Sequence, residues 1–131
     1  VLDELVQHED DLIQMISQDV ADGIGLKVSK AGGLTRGRRH RDIATAAGAT
    51  VSVQDTVGST ITFAAVAHLG ATVPERSLRC VLDSRGMVSV EAADFDAPII
   101  DGGVLVPDRS GLGLTVHLDR LGEPVEIWDN S

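Results

Sequence analysis

Tyrosine is absent from this chain of 131 residues, tryptophan and cysteine occur once each, and phenylalanine twice. So sparse an aromatic set offers no stacking platform for single-stranded nucleic acid. The lone Cys80 excludes an internal disulfide framework and any multi-cysteine metal site, and it suits a reducing compartment. Basic residues are also scarce: 11 Lys plus Arg stand against 20 Asp plus Glu, for a net charge of −9 and a pI near 4.7. A chain this acidic repels phosphate backbones and anionic lipid, which argues against nucleic-acid and membrane-surface roles. No apolar run approaches the ~18–20 residues needed to span a bilayer. The opening Val1-Leu2-Asp3-Glu4 carries neither an initiator Met nor the basic stretch of a signal peptide. The expectation is a cytoplasmic protein with further sequence in front. What is present, 43% hydrophobic residues, suffices for one domain with a core of its own.

Periodicity organises the first two-thirds into one repeated unit. Val1-Leu2-Asp3 reads as the end of a strand, followed by a helix from Asp10 to Val20 with acids in its first turn and Leu12, Ile13, Ile16 and Val20 on one face. Ile24 to Val28 reads as a strand, and Thr35 as the N-cap of a helix running to Ala47. Thr50 to Gln54 is rich in β-branched residues and predicts the next strand. Ser59 or Thr60 opens an Ala-rich helix through Leu69, and Leu78 to Leu82 forms the last strand of the series. Strand and helix alternating in this way predict parallel βαβ units. After about residue 88 the texture changes. Asp101-Gly102 between two β-branched runs predicts a hairpin, and Leu114 to Leu118 one more short strand. The expected division is therefore 1–88 for the α/β repeat and 89–131 for a tail that is not another βα unit and wraps onto something else.

The strand faces carry the chemical information. Ile24, Leu26 and Val28 share one face and Gly25 and Lys27 the other, while Val51 and Val53 oppose Thr50, Ser52 and Gln54. An open parallel sheet covered on both sides should be apolar on both faces. One face of small and polar residues, ending in Asp3, Lys27 and Gln54-Asp55, suits the mouth of a (β/α)8 barrel instead. Taken singly, Lys27 suits a snorkelling surface side chain, and Asp3 a helix cap or an ion-pair partner of Lys27. On one face of adjacent strands the two together make a candidate metal-plus-base site.

Asp3-Glu4, the segment Gly25-Leu26-Lys27-Val28-Ser29-Lys30-Ala31-Gly32-Gly33-Leu34-Thr35, His68-Leu69-Gly70, and the tail from Gly102-Gly103 through Pro107 to Gly111-Leu112-Gly113 resemble the enolase superfamily, in its mandelate racemase/muconate lactonizing enzyme branch. The resemblance covers essentially the whole chain. It implies the C-terminal half of a (β/α)8 TIM barrel, strands five to eight, with a C-terminal β-hairpin tail. It implies that Asp3 is the third of three carboxylate ligands to Mg²⁺ and that Lys27 is the acid/base residue ending the sixth strand. Asp55 and Thr56 then stand at the mouth of the seventh strand, and Cys80 to Asp83 at the eighth. Val53-Gln54-Asp55-Thr56-Val57-Gly58-Ser59 with Leu78-Arg79-Cys80-Val81-Leu82-Asp83 is most similar to the cis-3-hydroxy-L-proline dehydratases of that branch. The other metal ligands and a second acid/base Lys would lie upstream, so this chain alone is expected to be inactive.

The chemistry implied is abstraction of a proton α to a carboxylate, followed by dehydration. Mg²⁺ takes hard oxygen ligands, which Asp3 supplies and Cys80 does not. A free lysine titrates near about 10.4, so a lysine base needs burial or cationic neighbours to bring it towards neutrality. Asp55, Thr56 or Asp83 is implied to hold the substrate ammonium or hydroxyl, with the choice open. The expected substrate is a small amino acid or carboxylate, and the expected assembly a homo-oligomer. An amino-acid or dipeptide racemase-epimerase, a muconate cycloisomerase and a non-catalytic barrel module are the alternatives. The remaining signals have structural explanations: Arg36, Arg38, Arg39 and Arg41 suit a solvated helix face, and the four histidines show no metal-binding spacing. Cys80 is expected to pack inside its strand.

Overall fold

The computed structural model describes residues 1–128. Three parallel strands, β1 (Gly23–Lys27), β2 (Thr50–Gln54) and β3 (Leu78–Val81), lie side by side in that order. Leu2 adds a parallel bridge to Ile24 on the outer side of β1, so the chain start occupies a fourth strand position. Helices fill the connections. Helix α1 (Glu9–Ser17) precedes β1, α2 (Val28–Ala31) and α3 (Leu34–Ala46) link β1 to β2, and α4 (Thr60–Gly70) links β2 to β3.

Register explains the apolar core. Ile24 pairs with Val51 and Leu26 with Val53. These four side chains are buried and meet Leu12 and Met15 of α1, Ala44 of α3, and Val66 and Leu69 of α4. Helix α4 is apolar nearly all round because it serves two cores. Its Phe63, Ala64 and Ala67 turn the other way, onto Phe95 and Ala97 of the tail.

Helix boundaries depart from expectation for identifiable reasons. Helix α1 stops at Ser17 rather than Val20, because Asp19 takes a left-handed φ of 52°. The Asp19 N–H then donates to Ile16 O at 3.2 Å and the Val20 N–H to Met15 O at 3.3 Å, a Schellman closure without glycine. Val28 starts the unpredicted turn α2 instead of ending β1, and Gly33 rather than Thr35 holds the N-cap position of α3. Ser59 caps α4 by accepting from Ile61 N–H at 3.2 Å.

In the tail, β5 (Ile99–Ile100) and β6 (Gly103–Val104) pair antiparallel around Asp101 and Gly102, both at positive φ (50° and 79°). Two positive φ values in succession define the turn that matches the twist of a two-residue hairpin, and glycine is the residue that adopts one at little cost. Strand β4 (Ala93–Phe95) is too short to show alternation in sequence, yet it pairs with β7 (Leu114–Val116). The expected run to Leu118 is cut at Val116, and Leu118–Arg120 forms a 3₁₀ turn. The His68 ring Nε2 lies 3.1 Å from Leu112 O, which ties the tail to α4. Cys80 is exposed rather than packed, since β3 has no partner on its outer side among the described residues.

His40 is fully buried between α3 and α1, and its Nε2 has no hydrogen-bond partner. Glu9 Oε2 is the nearest acid, at 3.8 Å. Burial holds the imidazole below its ordinary value of 6.5, against the opposing pull of Glu9; Arg36 of α3 and His8 at the start of α1 push the same way as burial. The unfolded chain therefore binds the proton first, so this contribution is complete above about pH 6.5 and is lost as pH falls towards the folded-state value. The unfolding free energy of the wild type from urea denaturation should drop between pH 7.5 and 5.5, by at most about 1.4 kcal/mol per pH unit for one proton. His40→Leu should flatten that slope, and an unchanged slope would refute the assignment.

Candidate functional site

The opposite face of the sheet is the polar one. Gly25 pairs with Ser52 and Lys27 with Gln54, and the bridge at Leu2 sets Asp3 beside them. The Asp3 carboxylate accepts from Gln54 Nε2 at 2.7 Å and lies 3.2 Å from Lys27 Nζ, both through Oδ1. Oδ2 of Asp3 takes no protein hydrogen bond among the described residues. Lys27 Nζ also contacts Glu4 Oε1, and Lys30 Nζ contacts Glu4 Oε2. The chain has only two lysines, and both are in this cluster.

Close approach makes Gly25 necessary here. A Cβ on Gly25 would sit 2.4 Å from Gln54 Nε2 and 2.7 Å from Asp3 Oδ1, closer than van der Waals contact allows. The carboxylate and the amide can meet over the strand only because that position has no side chain. Lys27 crosses the same face with its side chain 10% exposed, while Asp3 is 48% exposed, so the acid opens to solvent and the amine lies against the sheet. Lys27 therefore points neither to bulk solvent nor into the helix layer.

The other sequence-predicted residues are placed differently. Asp55, buried at 5% exposure, accepts from Ser29 N–H at 3.0 Å and from the Ser29 hydroxyl. It also accepts from Thr56 N–H at 2.7 Å and the Thr56 hydroxyl at 3.3 Å. Its oxygens face the protein, and Thr56 turns its own donors onto them. Asp83 is held by Arg85 through both carboxylate oxygens, at 3.0 Å (Oδ1 to Nε) and 2.7 Å (Oδ2 to Nη2). That guanidinium keeps the Asp83 carboxyl below the usual carboxylate range and lies 4.3 Å over the Phe63 ring. No described contact joins Asp83 to Asp3 or Lys27. A surface cavity of about 570 Å³ lies apart from the lysine cluster, between the start of α4 and the tail, lined by Thr60, Arg85, Glu91 and Asp94.

Gln54 was expected on this face, whereas Glu4 and Lys30 join the cluster, and Ser29 joins Asp55, without having been assigned a role at the site. Their signals were legible: Glu4 follows Asp3, and Lys27 and Lys30 are three apart, the spacing that puts two side chains on one side of a helical turn. For a divalent cation the cluster offers the carboxylates of Asp3 and Glu4, and both Glu4 oxygens are taken by Lys27 and Lys30. No group of three His, Cys, Asp or Glu side chains comes together among the described residues. Mg²⁺ is commonly held by one or two carboxylates with water completing the shell, so Asp3 fits as one ligand and not as a whole site.

A lysine and a hard-oxygen carboxylate converging at the ends of parallel strands define a strand-end site of the kind α/β barrels carry. The chain belongs to the enolase C-terminal domain-like family, whose model matches residues 1–120. It is 37% identical over 125 residues to the cis-3-hydroxy-L-proline dehydratase of Roseibium aggregatum, covering 95% of this chain and 34% of that protein. It is 31% identical over 126 residues to muconate cycloisomerase 1 of Rhodococcus opacus, covering 96% of this chain and 33% of that protein. A Roseovarius nubinhibens ISM crystal structure, assigned to the mandelate racemase/muconate lactonizing enzymes and complexed with magnesium, superposes with a TM-score of 0.92 at 56% identity. That match covers 95% of this chain and 34% of the other. The chain thus spans about a third of the length of the relatives it matches.

Proposed function

We propose that this chain supplies one side of the active site of a Mg²⁺-dependent enolase-superfamily lyase, with cis-3-hydroxy-L-proline as substrate. Within this reading Leu2 and strands β1 to β3 are strands five to eight of a (β/α)8 barrel. The observation that carries it is the convergence of Lys27 Nζ and Asp3 Oδ1, 3.2 Å apart on the polar face of the sheet. The 37% identity to a dehydratase of that specificity supports the substrate.

Lys27 is the base that removes the proton α to the substrate carboxylate. Its aliphatic stem lies against the sheet, so the amine is presented along the strand ends with little freedom to swing away. Asp3 is the ligand that would hold the cation, which when bound stabilises the negative charge developing on the substrate carboxylate. Cleavage of the Cα–H bond is followed by loss of the 3-hydroxyl, which leaves as water after taking a proton. The cyclic enamine so formed tautomerises to an imine. Thr56 donates to Asp55 and Asp83 is held by Arg85, so a contact from either to the substrate ring would require those bonds to be given up. In this reading the protein is cytoplasmic and assembles as a homo-oligomer.

Incubating the full-length gene product with Mg²⁺ and cis-3-hydroxy-L-proline in D₂O, followed by proton NMR, tests the proposal. Loss of substrate with growth of a cyclic imine is the expected outcome. Exchange of the α-proton in amino acids or dipeptides without dehydration would replace the lyase by a racemase or epimerase. Lactone formation from muconate would favour the cycloisomerase, the reading that 31% identity to such an enzyme supports.

A further inference from the structure

We infer that Asp55 is a positioning residue for Lys27, acting through the turn that follows it rather than by touching substrate. The inference rests on the proposed role of Lys27 as the base. Lys27 ends β1 and is also the N-cap of α2, so its side chain leaves the sheet where the backbone changes from extended to helical. Such a junction leaves the first N–H groups of the turn without helical acceptors. At this one the acceptor comes from the next strand: Asp55, immediately after β2, takes the Ser29 N–H at 3.0 Å through Oδ2 and the Ser29 hydroxyl through Oδ1. The Thr56 N–H, at 2.7 Å, holds the same carboxylate from its own side.

The geometry is that of a clamp between two strand ends. The residue two positions after the base is fastened, over a separation of 26 residues, to the strand whose Gln54 holds Asp3. One element thus fixes both members of the pair, Asp3 through Gln54 and Lys27 through Asp55 and Ser29. Burial gives the clamp its strength, because a charged acceptor hydrogen-bonded out of water holds its donors more tightly than an exposed one. It also removes Asp55 from the surface a substrate reaches. Val28 and Ala31 pack this four-residue turn into the core, and the tie to Asp55 holds its exposed side at Ser29.

The test uses the full-length gene product and two independent readouts. In Asp55→Ala, kcat should fall by at least about 100-fold while KM stays within about threefold, since a misplaced base slows the chemical step and leaves binding alone. Pulse labelling with acetic anhydride, read by mass spectrometry, should show Lys27 acetylated at least about fivefold faster once the turn opens. Asp55→Asn keeps one acceptor oxygen but loses the charge and the other, so it should fall between the wild type and the alanine form, with kcat down about tenfold and Lys27 labelled about twofold faster, and it is the variant to read if the alanine form does not fold. A KM raised by about 100-fold at unchanged kcat would place Asp55 on the substrate and overturn the inference. So would unchanged kcat with unchanged Lys27 labelling. If the unaltered protein turns over no substrate, the proposed reaction fails, and the labelling of Lys27 alone decides the clamp.

Discussion

Replacing Lys27 by alanine should cost the full-length protein about 10²–10⁴-fold in kcat/KM, the usual worth of a positioned general base. The loss should be chemical rather than structural. The amine spans two carboxylates at a strand end, and the four apolar side chains that hold the sheet together, Ile24, Leu26, Val51 and Val53, lie on the opposite face. Lys27→Arg should rescue nothing, because a guanidinium stays protonated at any working pH and cannot serve as a base. Steady-state kinetics and α-proton exchange in D₂O both read the effect, and the two should fall together. Activity within about tenfold of wild type would remove Lys27 from the reaction.

Phe63→Ala should be the largest single stability loss in the described structure, about 3–5 kcal/mol. Phe63 is 1% exposed at the centre of the second core. It meets Phe95 edge to face, with ring centroids 6.1 Å apart and planes 78° to one another. The Arg85 guanidinium lies over the Phe63 ring, 4.3 Å from the centroid. Truncation therefore removes a buried ring, an aromatic pair and a cation–π contact at once. Because Arg85 also holds Asp83, the loop after β3 should loosen with the tail. Urea denaturation of the variant, with Phe63→Leu costing less than about half as much, checks the claim. A loss under about 1 kcal/mol would mean that the tail does not bear on α4 as described.

Much of the fold was legible because its periodicities are local. Thr50 to Gln54 alternates cleanly and forms the predicted strand to the residue. The Ala-rich helix begins where a serine cap was expected. Asp101-Gly102 carries its turn geometry in its own residue types. Strand β4 was not legible, since Ala93-Asp94-Phe95 becomes a strand only through pairing with residues about twenty positions later. Helix α2 was equally hidden, because four residues have no helical period and its Ser29 N–H is met by an acid from beyond another strand.

The candidate site divides in the same way. Residue type and alternation by themselves determined that Asp3 and Lys27 share a polar strand face with Gln54, because side-chain direction along a strand is fixed by the backbone. Sequence also marked Asp55 as lying at a strand end. Only the tertiary structure decided where its carboxylate points: inward, onto Ser29 and Thr56, and not out towards a substrate. The physical reason is that a strand sets which side of the sheet a residue occupies, whereas the residue just past its end takes its direction from the donors that the neighbouring turn brings within reach.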